Sequence, residues 1–241
     1  MKIFLCTPAY GGQLHTRWFG SWMESTAAAA QAGYLMSVFL MDRDALISRA
    51  RNICATTALE NGFDKLMFID NDIVWKPDQL LMLLESKREI IGGTYPIKKF
   101  PINPVFNVIK EHFDDFPLDT KNMEQYNEFV KKRADENGEV EVHHIPTGFL
   151  LIDCKVFKDL TKTQSKYESY DSVSKKRRVI YDFFPIQLVP QEGTDIKIYQ
   201  TEDWGFCNAA HSAGYKIYLQ TKCVVDHIGT HQYSARGYEV F

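Results

Sequence analysis

The stretch Leu66-Met67-Phe68-Ile69-Asp70-Asn71-Asp72 runs four apolar residues directly into a turn that carries two carboxylates. A short apolar run that ends in turn residues predicts a buried strand of the kind found in α/β proteins. These proteins bind ligands beyond the carboxyl ends of their strands, where both aspartates would lie. Carboxylate oxygens there suit a hard divalent cation that can also hold a diphosphate, although an ordinary Asx turn at the strand end is the alternative interpretation.

Strand and helix patterns alternate along the chain on both sides of this stretch. Gly33 and Gly62 provide helix stops, and Pro77 suits the first turn of a helix. A β-α-β-α-β-α-β order predicts an α/β fold with a mainly parallel central sheet flanked by helices. The predicted strands are Lys2–Cys6, Ser37–Met41, Leu66–Ile69 and Glu89–Gly93; the predicted helices cover residues 14–32, Asp44–Asn61 with Asp44 as the cap, and a segment that begins at Pro77.

The second part of the chain has a less regular pattern. Residues 110–142 are rich in charge and are interpreted as an insertion with a surface helix near 121–134. Residues 161–178 are polar and basic, which is typical of a mobile surface loop. The other predicted elements are strand-like segments within Val140–Asp153, interrupted at Pro146-Thr147-Gly148, a helix over Thr201–Gly214, and short strands at Lys216–Leu219 and Cys223–Asp226.

The composition mainly excludes classes of protein. The 241 residues include 28 Lys and Arg against 31 Asp and Glu, a formal net charge of −3, which argues against an electrostatic nucleic-acid or anionic-membrane binder. No apolar run approaches the ~18 residues that a membrane span needs. The five cysteines are scattered and never form a C-x-x-C pair, so we expect buried free thiols and a reducing, cytoplasmic location.

Two further signals lie late in the chain. His227, in the segment Asp226-His227, offers an imidazole that Mn²⁺ tolerates better than Mg²⁺ does, although a lone histidine is more often structural. Glu202 and Asp203 begin a predicted helix, where acidic residues commonly complement the helix dipole. A carboxylate at such a helix start can instead face a cleft and act as a general base on a hydroxyl nucleophile.

Together these pieces, in this order, resemble the GT-A-type glycosyltransferases, similar to the large family-2-like group. The resemblance implies a single GT-A-like catalytic domain over residues 1–241, with a nucleotide-sugar-binding half at 1–100 and an acceptor and catalytic half at 101–241. The segments that carry it are Thr7-Pro8-Ala9-Tyr10, Phe68-Ile69-Asp70-Asn71-Asp72, Thr147-Gly148-Phe149-Leu150-Leu151-Ile152, Thr201-Glu202-Asp203 and Asp226-His227.

The resemblance also implies roles for residues that would hold the donor. The first loop and the end of the second strand would contact base and ribose, and Arg49 would reach the base or the diphosphate. Arg49 and Arg51 are two residues apart and cannot share a helix face, so at most one points at the site and the other is solvated by default. The implied donor-binding residues are Thr7, Pro8, Tyr10, Asp42, Arg49, Asp70, Asn71 and Gly148, of which Gly148 would lie under the donor sugar.

For the metal and the base, the resemblance implies Mn²⁺ or Mg²⁺ held by Asp72, by Asp70 directly or through the ribose, and by His227. His231 remains open as the alternative ligand. Asp203 would be the catalytic base, with Glu202 as the other candidate. Transfer of a sugar needs both parts: a cation that neutralises the leaving diphosphate, and a separate carboxylate that deprotonates the acceptor.

The resulting hypothesis is a metal-dependent, inverting glycosyltransferase of the hexosyl or deoxyhexosyl type. It would use a nucleotide-diphosphate sugar as donor and a hydroxyl of a saccharide or glycan as acceptor, with no nucleic-acid partner. One alternative is a nucleotidyltransferase, although Gly11-Gly12 is only a fragment of a glycine-rich phosphate loop. The other alternative is a non-catalytic module that binds nucleotide sugars or glycans.

Overall fold

The computed structural model describes residues 1–42, 44–98, 107–108, 130, 132–171, 176–191, 193–229 and 232–233 of the chain. The helices in these ranges are α1 (Thr16–Gln31), α2 (Ile47–Glu60), α3 (Pro77–Glu85), α4 (Cys154–Leu160) and α5 (Glu202–Ser212). The strands are β1 (Lys2–Ala9), β2 (Leu35–Asp42), β3 (Lys65–Ile69), β4 (Ile73–Val74), β5 (Ile90–Thr94), β6 (Asn107–Val108), β7 (Glu139–His144), β8 (Phe149–Asp153), β9 (Lys166–Asp171), β10 (Lys176–Tyr181), β11 (Gln187–Pro190), β12 (Lys197–Gln200), β13 (Ile217–Val224), β14 (Asp226–Ile228) and β15 (Gln232–Tyr233).

The central sheet has eight strands within the described residues, in the order β2-β1-β3-β8-β5-β13-β7-β6. Strand β1 is parallel to both β2 and β3, and β13 is parallel to β5. Strands β8 and β7 are antiparallel to each of their neighbours. The sheet is therefore mainly parallel, with two reversed strands, and the predicted α/β class is confirmed.

Apolar layers cover both faces of the sheet, because successive strand residues point to opposite sides. On one face, Leu66 and Phe68 of β3 pack with residues of α2, α4 and α5. On the other face, Met67 and Ile69 pack with residues of α1 and α3. All five residues of β3 are buried, so the strand that ends at the two aspartates runs through the middle of the core.

Most predicted elements are present, with different ends. Strands β1 and β2 extend further than expected, because their parallel pairing continues to Ala9 and Asp42. Asp44 is not the cap of α2: the helix begins at Ile47 after Leu46, and the Asp44 carboxylate accepts a hydrogen bond from the Leu46 amide. The last two predicted short strands are different from those in the structure, since β13 is continuous and β14 follows it.

The segment 161–178, expected to be a mobile surface loop, contains strand β9 and the beginning of β10, which pairs with β9 in antiparallel orientation. The predicted surface helix near 121–134 lies almost entirely outside the described residues. The end of the expected insertion at 110–142 contributes β7 to the central sheet. Its alternating valines, Val140 and Val142, are buried there, which explains why a segment adjacent to a charged run joins the core.

The cysteines are only partly as expected. Cys154, Cys207 and Cys223 are buried free thiols, as predicted. Cys6 and Cys54 instead form a disulfide, which corrects the prediction of free thiols at those positions. Packing of α2 against β1 brings their Cα atoms to 6.3 Å, a separation that a disulfide can bridge. Among the described helices, none combines the length and the apolar character that crossing a membrane requires.

Helix α5 packs so closely on the segment before β11 that Gly205 has no room for a side chain. A Cβ atom at Gly205 would lie 1.8 Å from the carbonyl oxygen of Pro185. Gly20 in α1 is the opposite case, because a Cβ atom there would meet nothing within 4 Å. The close approach at Gly205 holds the beginning of α5, which carries Glu202 and Asp203, against the rest of the domain.

We predict opposite effects of alanine at these two helical glycines. Gly205→Ala should lower the free energy of unfolding by about 2 kcal/mol, because the added methyl group overpacks the contact with Pro185. Gly20→Ala should raise it by about 0.5–1 kcal/mol, since alanine is the better helix former at an open site. Urea unfolding of both variants measures the difference, and equal effects at the two positions would contradict the close contact between α5 and Pro185.

Candidate active site

The turn after β3 is fixed by backbone hydrogen bonds on both sides. The amide of Asp70 donates to the carbonyl of Gly148 at 2.9 Å, and the amide of Ile73 donates to the carbonyl of Asp70 at 3.1 Å. The first bond follows from the β3–β8 register, which pairs Ile69 with Phe149. The two carboxylates therefore leave a rigid turn at the carboxyl end of β3, as the sequence predicts.

His227 lies beside Asp72 because β14 pairs with β4, with His227 opposite Ile73. Nδ1 of His227 lies 2.9 Å from the carbonyl oxygen of Pro96. Since a carbonyl only accepts, Nδ1 is the donor, and a neutral ring then presents the lone pair of Nε2. Nε2 is 3.5 Å from Oδ1 of Asp72, so the two atoms could bind one ion between them.

Asp72 also contacts a cation from the chain itself, because the Lys98 ammonium lies against its Oδ2 atom. Partial burial raises the pKa of Asp72, but the contacts with His227, when that ring is protonated, and with Lys98 outweigh burial and hold the pKa of Asp72 below the usual value. Asp72 is therefore ionised at neutral pH and available as a ligand.

Arg51 connects the turn to helix α5. Its Nη2 atom lies 3.0 Å from Oδ1 of Asp70, and its Nε atom lies 3.4 Å from Oε1 of Glu202. The Arg51 side chain is only 3% exposed. A buried guanidinium needs anionic partners, since its burial without them is costly. Asp70 and Glu202 thus compensate one shared charge.

Arg49, the arginine that the resemblance implicates in donor binding, does not pair with Asp70 or Glu202 but with Asp44. It pairs with Asp44 at 2.9 Å, and its side chain is 43% exposed. Of the two arginines, Arg51 is the one that contacts Asp70 and Glu202, whereas Arg49 is partly exposed. The contact with Asp44 explains the orientation of Arg49. Asp44 lies just before α2, and its carboxylate accepts a hydrogen bond from Nε of Arg49 in the first turn of the helix.

Gly148 allows three groups to meet under the turn. A Cβ atom at Gly148 would lie 2.3 Å from the hydroxyl oxygen of Tyr95 and 2.9 Å from Oδ2 of Asp70. The Gly148 amide donates to that hydroxyl at 3.0 Å, and Tyr95 stacks edge-on against His227 with 5.1 Å between ring centroids. Only glycine leaves space for this arrangement, and Gly148 lies next to the Asp70 carboxylate.

Asp203 and Glu202 begin α5 but have different partners. Asp203 accepts a hydrogen bond from the Thr201 hydroxyl, and its Oδ2 atom lies 3.3 Å from Nε2 of His144, off the axis of a direct hydrogen bond. Burial raises the pKa of Asp203, but contacts with His144 and Thr201 outweigh burial and lower it overall. Asp203 is thus an ionised carboxylate, separate from the group around Arg51.

A ring stack holds His144 in this position. Its imidazole lies parallel to the indole of Trp204, with 4.2 Å between centroids and 13° between planes. His144 is buried at the end of β7, whereas Asp203 is on α5, so the contact also ties that helix to the sheet. The stack limits rotation of both rings and therefore fixes the direction from which His144 approaches Asp203.

At the neighbouring strand ends, an open cavity of about 620 Å³ is lined by Tyr10, Gly11, Gly12 and Asp42. Pro8 and Asp42 lie near the paired carboxyl ends of the parallel strands β1 and β2. The side-chain amide of Asn71 donates to the carbonyl of Gln13 at 3.0 Å and ties this loop to the turn.

Among the expected donor-binding residues, Thr7 is placed differently from the others. The side chain of Thr7 is fully buried in β1, so Thr7 packs beneath the surface of the loop that follows and is not open to a ligand. Cys6 of the same strand pairs with Phe68 of β3, which brings the end of β1 beside the turn at Asp70. Tyr10, three residues further along the chain, is 67% exposed and is open to a ligand.

The site offers few protein ligands for a metal. Within the described ranges, no group of three His, Cys, Asp or Glu side chains is arranged to hold an ion. His231, the alternative to His227, lies outside the described residues. Asp72 and His227 are therefore a two-ligand candidate, whose remaining positions would be filled by oxygens from donor and water.

The sequence analysis did not identify Tyr95, Lys98 and His144 as neighbours of the predicted residues. It also did not predict that Arg51 bridges Asp70 and Glu202. The signal for Arg51 was the presence of two arginines in one helix, but the pattern alone did not indicate which one is buried. Tyr95 and Lys98 follow β5, a strand that the pattern did predict. Their position at the carboxyl end of a parallel strand was the available signal, by the same rule that singled out Asp70.

No protein-family profile matches the sequence, and no curated protein sequence matches it. A mutant of Drosophila β-1,4-galactosyltransferase 7, in complex with manganese, UDP-Gal and xylobiose, is similar in structure at 14% identity, over 99% of this chain and 73% of that chain, with a TM-score of 0.48. A glycosyltransferase involved in glycosylation of the major capsid of PBCV-1 matches at 11% identity, over 66% of this chain and 65% of that chain, with a TM-score of 0.33.

A Bacillus anthracis protein assigned as a glucose-1-phosphate thymidylyltransferase, in complex with sucrose, matches at 12% identity over 68% of this chain and 76% of that chain, with a TM-score of 0.33. All three TM-scores are below 0.5. The case for a function therefore has to come from the residues of this chain alone.

The two arginines of α2 provide a matched test of the site's electrostatics. Arg51→Met should lower the free energy of unfolding by about 2–3 kcal/mol, less than for a fully buried pair because water partly reaches Asp70. Arg49→Met should cost less than ~1 kcal/mol, as is usual for exposed ion pairs. Chemical denaturation of both variants at neutral pH measures the costs, and a larger loss from Arg49→Met would contradict the assigned roles.

Proposed function

We propose that the protein is a metal-dependent, inverting glycosyltransferase of the hexosyl or deoxyhexosyl type. It transfers a sugar from a nucleotide-diphosphate donor to a hydroxyl of a saccharide or glycan acceptor. The observation that carries this proposal is the division of the acidic residues at one edge of the sheet. Asp72 faces His227 and Asp203 faces His144. The other two carboxylates, those of Asp70 and Glu202, form ion pairs with Arg51.

Asp72 and His227 fit a divalent cation. The Asp72 carboxylate is ionised, and the bond from His227 to Pro96 leaves Nε2 free to coordinate. When bound, Mn²⁺ or Mg²⁺ would neutralise the charge that develops on the leaving nucleoside diphosphate. Asp70 is engaged by Arg51, so its contribution would be through the donor or as a weaker ligand.

Asp203 is the better candidate for the base that deprotonates the acceptor hydroxyl. Glu202 is only 14% exposed and pairs with Arg51, so its charge is already compensated. Asp203 keeps an ionised carboxylate outside that pair, and His144 orients it. An inverting transfer needs the base on the side of the sugar away from the leaving group, which requires a carboxylate distinct from the metal ligands.

The cavity beside Tyr10 and Asp42 supports the assignment of a nucleotide pocket. Gly11 and Gly12 line it without side chains, and Asp42 offers carboxylate oxygens to ribose hydroxyls or to a base. Asn71 links this loop to the turn with Asp72, so a nucleotide bound there would have its diphosphate directed towards the cation. The donor would thus lie along the carboxyl ends of β1, β2 and β3.

The product formed from a panel of nucleotide sugars with Mn²⁺ tests the reaction class. Release of nucleoside diphosphate that depends on Mn²⁺ and is lost in Asp72→Ala is the expected result. Release of pyrophosphate in a parallel assay, with a nucleoside triphosphate and a sugar 1-phosphate as substrates, would indicate a nucleotidyltransferase instead. Donor binding without any turnover, over a wide panel of saccharide acceptors, would indicate a non-catalytic binding module and would contradict the proposal.

Substitutions at the beginning of α5 test the assignment of the base. Asp203→Asn should lower kcat by about 10²–10⁴-fold, the usual contribution of a general base, and leave donor binding unchanged. Glu202→Gln should lower kcat by less than about tenfold, because the amide oxygen still accepts a hydrogen bond from Arg51. Steady-state kinetics with donor-binding titrations provide both values. A larger loss of kcat in Glu202→Gln would assign the base to Glu202.

A further inference from the structure

Residues 95–98 contact each part of the candidate metal site. Tyr95 accepts the hydrogen bond from Gly148, Pro96 holds Nδ1 of His227, and Lys98 lies against Asp72. The segment follows β5 directly, so a strand of the central sheet positions it. A single short stretch thus orients one candidate ligand and neutralises the other.

Lys98 occupies the same carboxylate that a divalent cation would use. Its ammonium contacts Oδ2 of Asp72, while Oδ1 faces His227. Both side chains are about one third exposed, 36% for Lys98 and 31% for Asp72, so the contact can open without unfolding the domain. Among the described residues, Lys98 forms its ion pair with Asp72. The neighbouring carboxylate of Asp70 pairs with Arg51 instead.

We propose that Lys98 is a built-in counter-ion that competes with the divalent cation for Asp72 and thereby sets the cation affinity of the Asp72–His227 pair. The inference rests on the proposed function for the identity of the cation. It goes beyond that function because it assigns a role to Lys98: the ammonium compensates the charge of the Asp72 carboxylate when no metal is bound.

The competition has a simple physical basis. A cation that binds Oδ1 or Oδ2 of Asp72 draws on the same negative charge that attracts the ammonium, and the two positive charges repel each other at this distance. The cation must therefore weaken or displace the ion pair between Lys98 and Asp72, and the lost attraction is subtracted from the binding free energy of the cation. Removal of the ammonium without loss of side-chain volume removes that cost.

Mn²⁺ binding in the absence of any nucleotide tests the proposal. The paramagnetic resonance signal of free Mn²⁺ gives Kd for the wild-type protein and for Lys98→Met, which keeps the apolar stem. We expect Kd to fall by about fivefold in Lys98→Met, in line with a partly exposed ion pair. Lys98→Arg should remain close to wild type, because the positive charge is retained.

Lys216→Met is the matched control, since Lys216 also forms a solvent-accessible pair, at 2.8 Å with Glu141 of β7. Lys216→Met should not change the Kd for Mn²⁺, and adding Asp72→Ala to Lys98→Met should abolish the gain in Mn²⁺ affinity.

Lys98→Gln, checked for fold by circular dichroism, is a second variant that should also bind Mn²⁺ more tightly. Equal or weaker binding by folded Lys98→Met and Lys98→Gln would overturn the role of Lys98 and leave the proposed function intact. No Mn²⁺ binding in any of these proteins, either alone or with a nucleoside diphosphate present, would overturn both.

Discussion

The buried guanidinium of Arg51 is the interaction on which the arrangement of the site depends. It lies between a turn after the central strand β3 and the first residue of α5, far apart in the chain. Because a buried charge is tolerated only with close counter-charges, Asp70 and Glu202 must approach it from both sides. The ion pairs therefore hold the turn after β3 against the beginning of α5, and Gly205 lets α5 pack closely on Pro185.

Arg51 forms ion pairs with Asp70 and Glu202, so Asp72 and Asp203 are the two carboxylates of this group with other partners. Asp72 faces an imidazole lone pair and an ammonium, which is a setting for a cation. Asp203 faces His144 and the Thr201 hydroxyl, which hold it ionised and oriented. Residues of the same chemical type thus differ in function through their neighbours, a division that group transfer from a nucleotide sugar would require.

Much of the fold and part of the site could be predicted from local patterns. The apolar run before Asp70 indicated a buried strand, which the structure confirms, and the turn with both aspartates lies at the carboxyl end of that strand, where the rule for α/β sheets places sites. Arg51 could not be chosen over Arg49, because the helix pattern does not tell which arginine meets a carboxylate from a distant segment. The contacts of Lys98 and His144 depend on strand order, which reverses β7 and β8 in the sheet, and the Cys6–Cys54 disulfide depends on how α2 packs against β1.

The proposed chemistry requires that Asp72 and His227 hold a cation while Asp203 stays apart from it. A crystal structure of the protein with Mn²⁺ and a nucleoside diphosphate tests this division most directly, with anomalous scattering to identify the ion. We expect Mn²⁺ bonded to Asp72 Oδ1 and His227 Nε2, with diphosphate oxygens completing its shell and Lys98 released from Asp72. Mn²⁺ bonded to Asp203, or diphosphate bound with no ion at Asp72, would contradict it.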